Sequence, residues 1–343
     1  MAKEKEMTRK KILVTGASGF IGSFIVEQGI AAGYEVWAGM RMSSSKQFLQ
    51  NPSIKFIELN LGDEDTLQQQ IMRFKETHGT WDYVVHAAGA TKCIDKKEFL
   101  YINYRGTKNL VKALKSNNAV PQKFIYLSSL SVFGPAREGE PHTPISDNDT
   151  ATPNTAYGHS KLMAENYIKK SDIPYIILRP TGVYGPRERD YFQMAVSIKK
   201  HIDFAVGYKR QTITFIYVKD LVKAIYLAIE KKVVNRCYFV SEPCGYSSRS
   251  FSDYIQKSMG IKRVLHIKAP IWVLKAISQI SEMAARFTNK PATLNSDKYH
   301  IMKQRNWLCD TTPIEKELGF TIDYTLEQGT EETITWYKQE KWL

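Results

Sequence analysis

Tyr157 and Lys161 stand four residues apart in Tyr157-Gly-His-Ser-Lys161. On a helix that spacing puts a phenol and an ammonium on one face. A neighbouring cation favours the tyrosinate and lowers a pKa that starts at ~10, so the phenol can exchange a proton with a substrate oxygen near neutral pH. The same spacing recurs at Tyr104/Lys108, Tyr299/Lys303 and Tyr337/Lys341, and spacing alone does not choose among the four. Position does. Ser128-Ser129 closes an apolar run ahead of Tyr157; a serine there either polarises a carbonyl oxygen or satisfies its own backbone. Gly16, Gly19 and Gly22 lie directly behind the first apolar run. A turn without side chains between strand and helix leaves backbone N–H groups free for a pyrophosphate. The spacing is G-x-x-G-x-x-G, not the commoner G-x-G-x-x-G.

The elements that must position these groups follow from periodicity. Strands are expected at Ile12–Thr15, Gly33–Met40, Ile54–Leu59, Asp82–Ala88, Lys123–Leu127 and Tyr175–Arg179. Helices are expected from the glycine turn to about Ala32, over Tyr104–Ser116 and over His159–Lys170. Short, nearly continuous apolar strands alternating with helices indicate a parallel sheet covered on both faces. The fold class is therefore α/β, a Rossmann-like doubly wound sheet whose ligand lies beyond the carboxyl ends of the strands. Residues 8–180 form the dinucleotide-binding domain in this reading, joined by a returning strand at Arg236–Val240. Residues 181–343 form mainly a smaller, interleaved substrate lobe. Pro135–Pro153 reads as a long surface loop and substrate flap.

The chain has 343 residues, 43% hydrophobic and 24% charged, which describes an ordinary globular protein. Its net charge of +13 is spread over scattered lysines, with no basic helix interleaved with aromatics, so no nucleic-acid partner is expected. The charged first ten residues do not read as a signal peptide, and a cytoplasmic location is expected. Ala269–Ala285 is interrupted by Lys275 and Glu282 and is too broken to span a bilayer. Ile271, Leu274, Ile277, Ile280 and Ala284 fall at helical spacing there. Core packing or a dimer face is the first reading of that stripe; peripheral membrane contact through Lys268, Lys275 and Arg286 is the second. Four cysteines without CxxC spacing imply no metal site.

Taken in order, the glycine turn, His86-Ala-Ala-Gly89, Asn103, Ser128-Ser129-x-x-Val-Phe-Gly134, Tyr157-x-x-x-Lys161, Arg179-Pro-x-Gly-Val-Tyr-Gly-Pro186 and Phe215-Ile-Tyr-Val-Lys-Asp220 resemble the extended short-chain dehydrogenase/reductases of the NAD-dependent epimerase/dehydratase family. The resemblance is nearest to dihydroflavonol-reductase-like and 3β-hydroxysteroid-dehydrogenase-like members and covers almost the whole chain. It implies an enzyme with Ser129, Tyr157 and Lys161 as catalytic triad. It also implies a nicotinamide cofactor held by Gly16, Ser18, Gly19, Phe20, Ile21, Gly22, Asn60, Leu61, His86, Ala87, Ala88, Gly89, Tyr157, Lys161 and Pro180, and a homodimer through the helices over Tyr104–Ser116 and Tyr157–Lys170. Asp63 is expected near the adenine.

An NAD-selective site carries a carboxylate at the end of the second strand, where this sequence has Met40-Arg41. Arg41 can instead fork onto a 2′-phosphate, and Lys46 matches a second basic residue of dihydroflavonol-reductase-like relatives. NADP(H) is therefore the expected cofactor and NAD(H) the alternative; a solvent-facing loop arginine is the bland reading. Three reactions are weighed. A nucleotide-sugar epimerase usually carries a diphosphate-gripping arginine where this chain has Ile213-Thr214-Phe215. A dehydratase replaces Ser129-Leu130-Ser131 with an acidic signature. The third, an oxidoreductase interconverting hydroxyl and keto groups on a hydrophobic or amphipathic small molecule, leads. A cofactor-sensing regulator ranks below these because Tyr157 and Lys161 are both retained. Thr91, Lys92, Tyr184, Arg187 and Tyr217 are substrate-lining candidates from position alone. His86 reads as a packed strand end, Asp220 as a brace at a helix start, and Cys93 receives no role.

Overall fold

The computed structural model describes residues 9–288 and 294–343, and the side chains of all of these except 284–288. Seven parallel strands form the central sheet: β1 (Lys11–Thr15), β2 (Glu35–Met40), β3 (Lys55–Glu58), β4 (Tyr83–His86), β5 (Lys123–Leu127), β6 (Tyr175–Pro180) and β7 (Arg236–Val240). Their order is β7-β6-β5-β4-β1-β2-β3. The chain reverses direction across the sheet between β1 and β4, so a crevice opens at their carboxyl ends.

Each strand sends alternate apolar side chains to opposite faces. Ile12, Val14, Val85, Ile125 and Ile176 join one buried cluster; Leu13, Val84, Phe124, Tyr126 and Ile177 join another. The first cluster is covered by α1 (Phe20–Ala31) and by the helix Val218–Glu230. The second is covered by α2 (Glu64–His78), α3 (Gly106–Ser116) and α4 (Ala156–Lys169). The doubly wound α/β fold expected from the alternation is the one observed.

Three differences bear on the site. Helix α2 was not among the expected elements; it hides in a polar sequence because only Leu67, Ile71 and Phe74 face inward. Its first turn is capped by the Asp63 carboxylate, which accepts the Thr66 N–H at 2.8 Å. The helix expected from Tyr104 begins instead as a π-helical turn, Leu100–Arg105, an irregularity common at functional sites. The stripe on the helix Ile271–Thr288 does not build a core. Leu274 is buried, but Ile277 and Ile280 are exposed; the side chains of Ala284 and Arg286 lie outside the described residues.

Beyond β6 the described residues make three two-stranded sheets. Gly182–Tyr184 pairs with Phe215–Tyr217, Thr212–Ile213 with Tyr246–Ser247, and Ile202–Val206 with Leu265–Ala269. The C-terminal helix Leu326–Gln339 returns Leu326, Ile334 and Tyr337 to the core cluster shared with β1. Asp220 accepts the N–H groups of Asp323 and Tyr324 at 2.9 and 3.1 Å. It therefore braces the approach to that C-terminal helix, not a start at Leu221.

Candidate active site

The glycine turn is shaped by close backbone approach. Gly16 has φ +68°, and a Cβ there would lie 2.7 Å from the Ala88 backbone. A Cβ on Gly22 would lie 2.1 Å from the Gly16 carbonyl oxygen. Any side chain at either position would push the end of β1 away from β4 and from α1. Gly19 is the N-cap of α1 and offers no side-chain cap, so the first-turn N–H groups and the positive end of the helix dipole are left for an anion. These residues fit the pyrophosphate of a dinucleotide. Ser18, Phe20 and Ile21 line the same turn, and Asn60 and Leu61 follow β3 at the same sheet edge.

Ala87, Ala88 and Gly89 continue β4 past this turn. His86 itself points into the core: its Nδ1 lies 2.6 Å from Thr15 Oγ1 and its Nε2 2.9 Å from Thr107 Oγ1. Burial, helped by the Lys161 charge, pulls its pKa down to about 3, so its ring is a neutral strut between Thr15 and Thr107. Arg41 is exposed at the end of β2, and its guanidinium has no partner among the described residues. Lys46 does not stand free beside it; its ammonium sits 4.0 Å from the Phe56 ring centroid. Pro180 ends β6 in a buried position.

Tyr157 enters the site in the first turn of α4. Gly158 makes this possible, because a Cβ there would lie 2.5 Å from the Ser131 carbonyl oxygen. The helix thus packs directly on the turn that carries Ser129. The Ser129 hydroxyl donates to Ser131 Oγ at 3.1 Å and accepts the Ser131 N–H at 3.2 Å, so it satisfies its own turn while standing beside Tyr157. Lys161 Nζ is buried, donates to the Leu127 carbonyl at 2.7 Å and lies 4.9 Å from the Tyr126 ring centroid. A Cβ on Gly89 would be 3.2 Å from that Nζ and 3.0 Å from Asn103 Oδ1. The lysine therefore faces the end of β4, one helical turn from the phenol.

The expected depression of the Tyr157 pKa is not found. Burial pushes the phenol up to about 12, with the Ser129 hydroxyl working against it. Burial also pulls Lys161 down to about 8, opposed by Glu165. Both shifts have one cause: packing around the two groups removes water from them, which disfavours the charged form of each.

Several functional residues escaped the sequence reading because their partners are distant in the chain. Glu165, one turn beyond Lys161, is fully buried in a fork–fork pair with Arg179, with contacts of 3.0 and 2.7 Å, and accepts the Ser128 hydroxyl at 2.6 Å. That pairing turns Ser128 away from the site and locks α4 to β5 and β6. Arg179 also reaches Asp147 at 2.5 Å. Asn103, in the π-turn, accepts the Ala90 N–H at 2.8 Å and donates to Ser160 Oγ at 2.9 Å, tying the loop after β4 to α4. Asp297 accepts the Tyr157 N–H at 3.1 Å. Asn103, Ser128 and Arg179 left a sequence signal, since all three belong to the motif series; Glu165, Asp147 and Asp297 left none.

The substrate-lining candidates divide. Thr91 is exposed on the loop after β4, and that loop leads to Phe99, whose ring meets Tyr157 edge-on at 6.0 Å. Lys92 is engaged by Asp190, which Lys298 also holds at 2.7 Å. Tyr184 and Tyr217 are buried in the core and pack against each other at 5.4 Å; their short strands face the C-terminal helix, not a cleft. Arg187 is bound to α1 through Ser23 at 2.9 Å and Glu27 at 2.7 Å, on the cofactor side of the molecule. A small cavity of about 20 Å³ is lined by Cys93, Ile94, Lys96, Phe99, Glu282, Asn295 and Asp297. The Pro135–Pro153 loop is no loose flap. Buried Asn306 donates to the carbonyls of Ala136, Arg137 and Thr143, and Asp147 is held by Arg179.

The sequence model of the NAD dependent epimerase/dehydratase family matches residues 12–240. A putative UDP-glucose 4-epimerase of Methanocaldococcus jannaschii is 32% identical over 65% of this chain and 75% of its own length. A 3 beta-hydroxysteroid dehydrogenase/Delta 5-->4-isomerase of Vaccinia virus is 23% identical over 96% of this chain and 99% of its own. Among solved structures, the Bordetella bronchiseptica enzyme WbmG in complex with NAD shares the fold, with a TM-score of 0.77 at 21% identity over 98% of this chain and 96% of that one.

Proposed function

This chain belongs to the NAD dependent epimerase/dehydratase family, enzymes of the extended short-chain dehydrogenase type, and on that premise we propose that it is an NADP(H)-preferring oxidoreductase interconverting a hydroxyl and a keto group on a hydrophobic or amphipathic small molecule. The observation that carries the choice of substrate is what fills the place of a diphosphate-gripping arginine. Thr214 is buried, with its hydroxyl donated to the Trp307 carbonyl at 2.6 Å, and Phe215 packs into an aromatic cluster with Tyr184, Tyr191 and Phe251. Leu130, where a dehydratase carries an acid, is buried among apolar side chains. The exposed, unpaired Arg41 and the lack of a carboxylate after β2 support the phosphorylated cofactor.

A bound nicotinamide supplies the hydride exchange. Tyr157 holds the proton at its phenol oxygen; with a pKa of about 12 it is fully protonated at neutral pH and ready to donate to a carbonyl oxygen. Lys161, charged below about 8, stabilises the phenolate that donation leaves. The Ser129 hydroxyl turns from Ser131 to orient the substrate oxygen. Thr91 and Phe99 border the approach. A homodimer through α3 and α4 and a cytoplasmic setting belong to the same reading; Met163, exposed on α4, supports the interface.

A second reading, a nucleotide-sugar epimerase working by transient oxidation with tightly bound NAD, is favoured by the curated relatives, which include UDP-glucose 4-epimerases. Following NADPH consumption against panels of hydrophobic ketones and nucleotide sugars separates the two. Stoichiometric consumption with ketones is expected. Epimerisation of a nucleotide sugar without net cofactor consumption establishes the second reading instead.

A further inference from the structure

We infer that the outer face of the C-terminal lobe is a docking surface for an anionic lipid bilayer. Among the described residues, seven large apolar side chains are more than half exposed, and six of them lie here: Phe204, Tyr208, Leu265, Trp272, Ile280 and Met283. They are gathered by structure, not scattered. Phe204 and Leu265 belong to the paired strands Ile202–Val206 and Leu265–Ala269, the Tyr208 hydroxyl donates to the Lys268 carbonyl at 3.4 Å, and the helix Ile271–Thr288 starts where that sheet ends. At 100° per residue, Trp272, Ile280 and Met283 fall on one side of this helix. Buried Leu274 and Ser278 fall on the other. The helix therefore buries one side and presents an apolar strip to solvent.

The charge around the strip identifies its occupant. Residues 199–210 and 262–275 carry eight lysines and arginines. Their single acid, Asp203, is buried against His266 and Ser252 at 2.9 and 3.0 Å. None of the eight cations has a carboxylate partner among the described residues. Two-fold pairing with a second copy would set this basic face against itself. An anionic headgroup layer complements it, while Trp272, Ile280 and Met283 enter the acyl boundary. No helix among the described residues is long and apolar enough to cross a membrane, so the contact is peripheral. The inference stands on this surface alone and does not depend on the substrate reading.

The test is cosedimentation of the full chain with vesicles of phosphatidylcholine, alone or mixed with phosphatidylglycerol. Binding is expected to the mixed vesicles only, and to weaken with added salt. Lys268→Glu and Lys275→Glu should each weaken it at least on the order of fivefold, the effect of one cation near the surface; Trp272→Ser and Ile280→Ser should weaken it without changing the salt dependence. NADPH titration and ketone turnover in the absence of vesicles establish that each variant is folded, and they score the catalytic reading separately. Failure of the parent chain to sediment with the mixed vesicles overturns the inference, as does equal binding to both vesicle types or unchanged binding by folded variants. A concentration-dependent dimer dissolved by Trp272→Ser also overturns it, assigning the face to a second copy.

Discussion

Asp297 accepts the backbone N–H of Tyr157 at 3.1 Å across 140 residues of sequence. The C-terminal lobe thereby satisfies a first-turn donor of α4 and sets where the phenol enters the site. An Asp297→Ala chain is expected to keep its cofactor affinity and lose roughly tenfold in kcat, the cost of a charge-assisted bond that positions a reacting group. Asp297→Asn retains an acceptor and should recover most of the loss. Steady-state kinetics with a cofactor titration on both variants reads this out; equal losses in cofactor binding and turnover would refute a positioning role.

Proton transfer should follow the ionisation of Lys161. Its pKa is pulled down to about 8 by burial, so the ammonium is full below that pH and disappears above it. Ketone reduction is therefore expected to be level on the acid side and to fall as pH rises through about 8. Lys161→Arg keeps the charge and should move the fall to higher pH. Tyr157→Phe removes the proton itself, lowering turnover by ~10²–10⁴ at every pH with cofactor affinity intact.

Cofactor choice should rest on Arg41. Charge-assisted bonds to a phosphate contribute about 1.5–3 kcal/mol. Arg41→Gln is accordingly expected to weaken NADPH binding roughly tenfold to a hundredfold while leaving NADH unaffected. Paired titrations of the two cofactors on parent and variant check it, and equal weakening of both would sink the assignment.

Glu165 and Arg179 should govern stability. Burial works against the Glu165 carboxylate, but the hydrogen bonds and charge of Arg179 hold its pKa below the usual value. A depressed folded-state pKa contributes stability above the unfolded pKa that is lost as pH falls through the folded one. Glu165→Gln leaves the buried Arg179 guanidinium with only the half-exposed Asp147 as counter-charge and is expected to cost up to about 3–5 kcal/mol, measurable by denaturant unfolding at neutral pH. Replacing both partners, Glu165→Met with Arg179→Met, should cost less than the single change.

The sequence by itself determined the sheet and the place of its ligand edge. Runs such as Ile12–Val14 and Val84–Val85 demand burial on both faces, and that demand is local, readable from the strand alone. Gly22 was legible for the same reason, since the backbone it approaches is that of Gly16 and Ala17, whereas the close approach of Ala88 to Gly16 became visible only in the fold. The order of Ser129, Tyr157 and Lys161 along the chain placed all three at one edge. Only the tertiary structure decided what surrounds them. It buried Lys161 and packed Tyr157 among its neighbours, and desolvation raised the Tyr157 pKa where an adjacent cation alone would have lowered it. It brought Asp297 to Tyr157 and Arg179 to Glu165, contacts that no spacing announces. It also turned the helix at Ile271 so that Leu274 packs inward and Trp272 and Ile280 face outward. Periodicity reports how a segment's side chains are distributed about its own axis; burial, pKa and exposure depend on what other parts of the chain are packed against that axis.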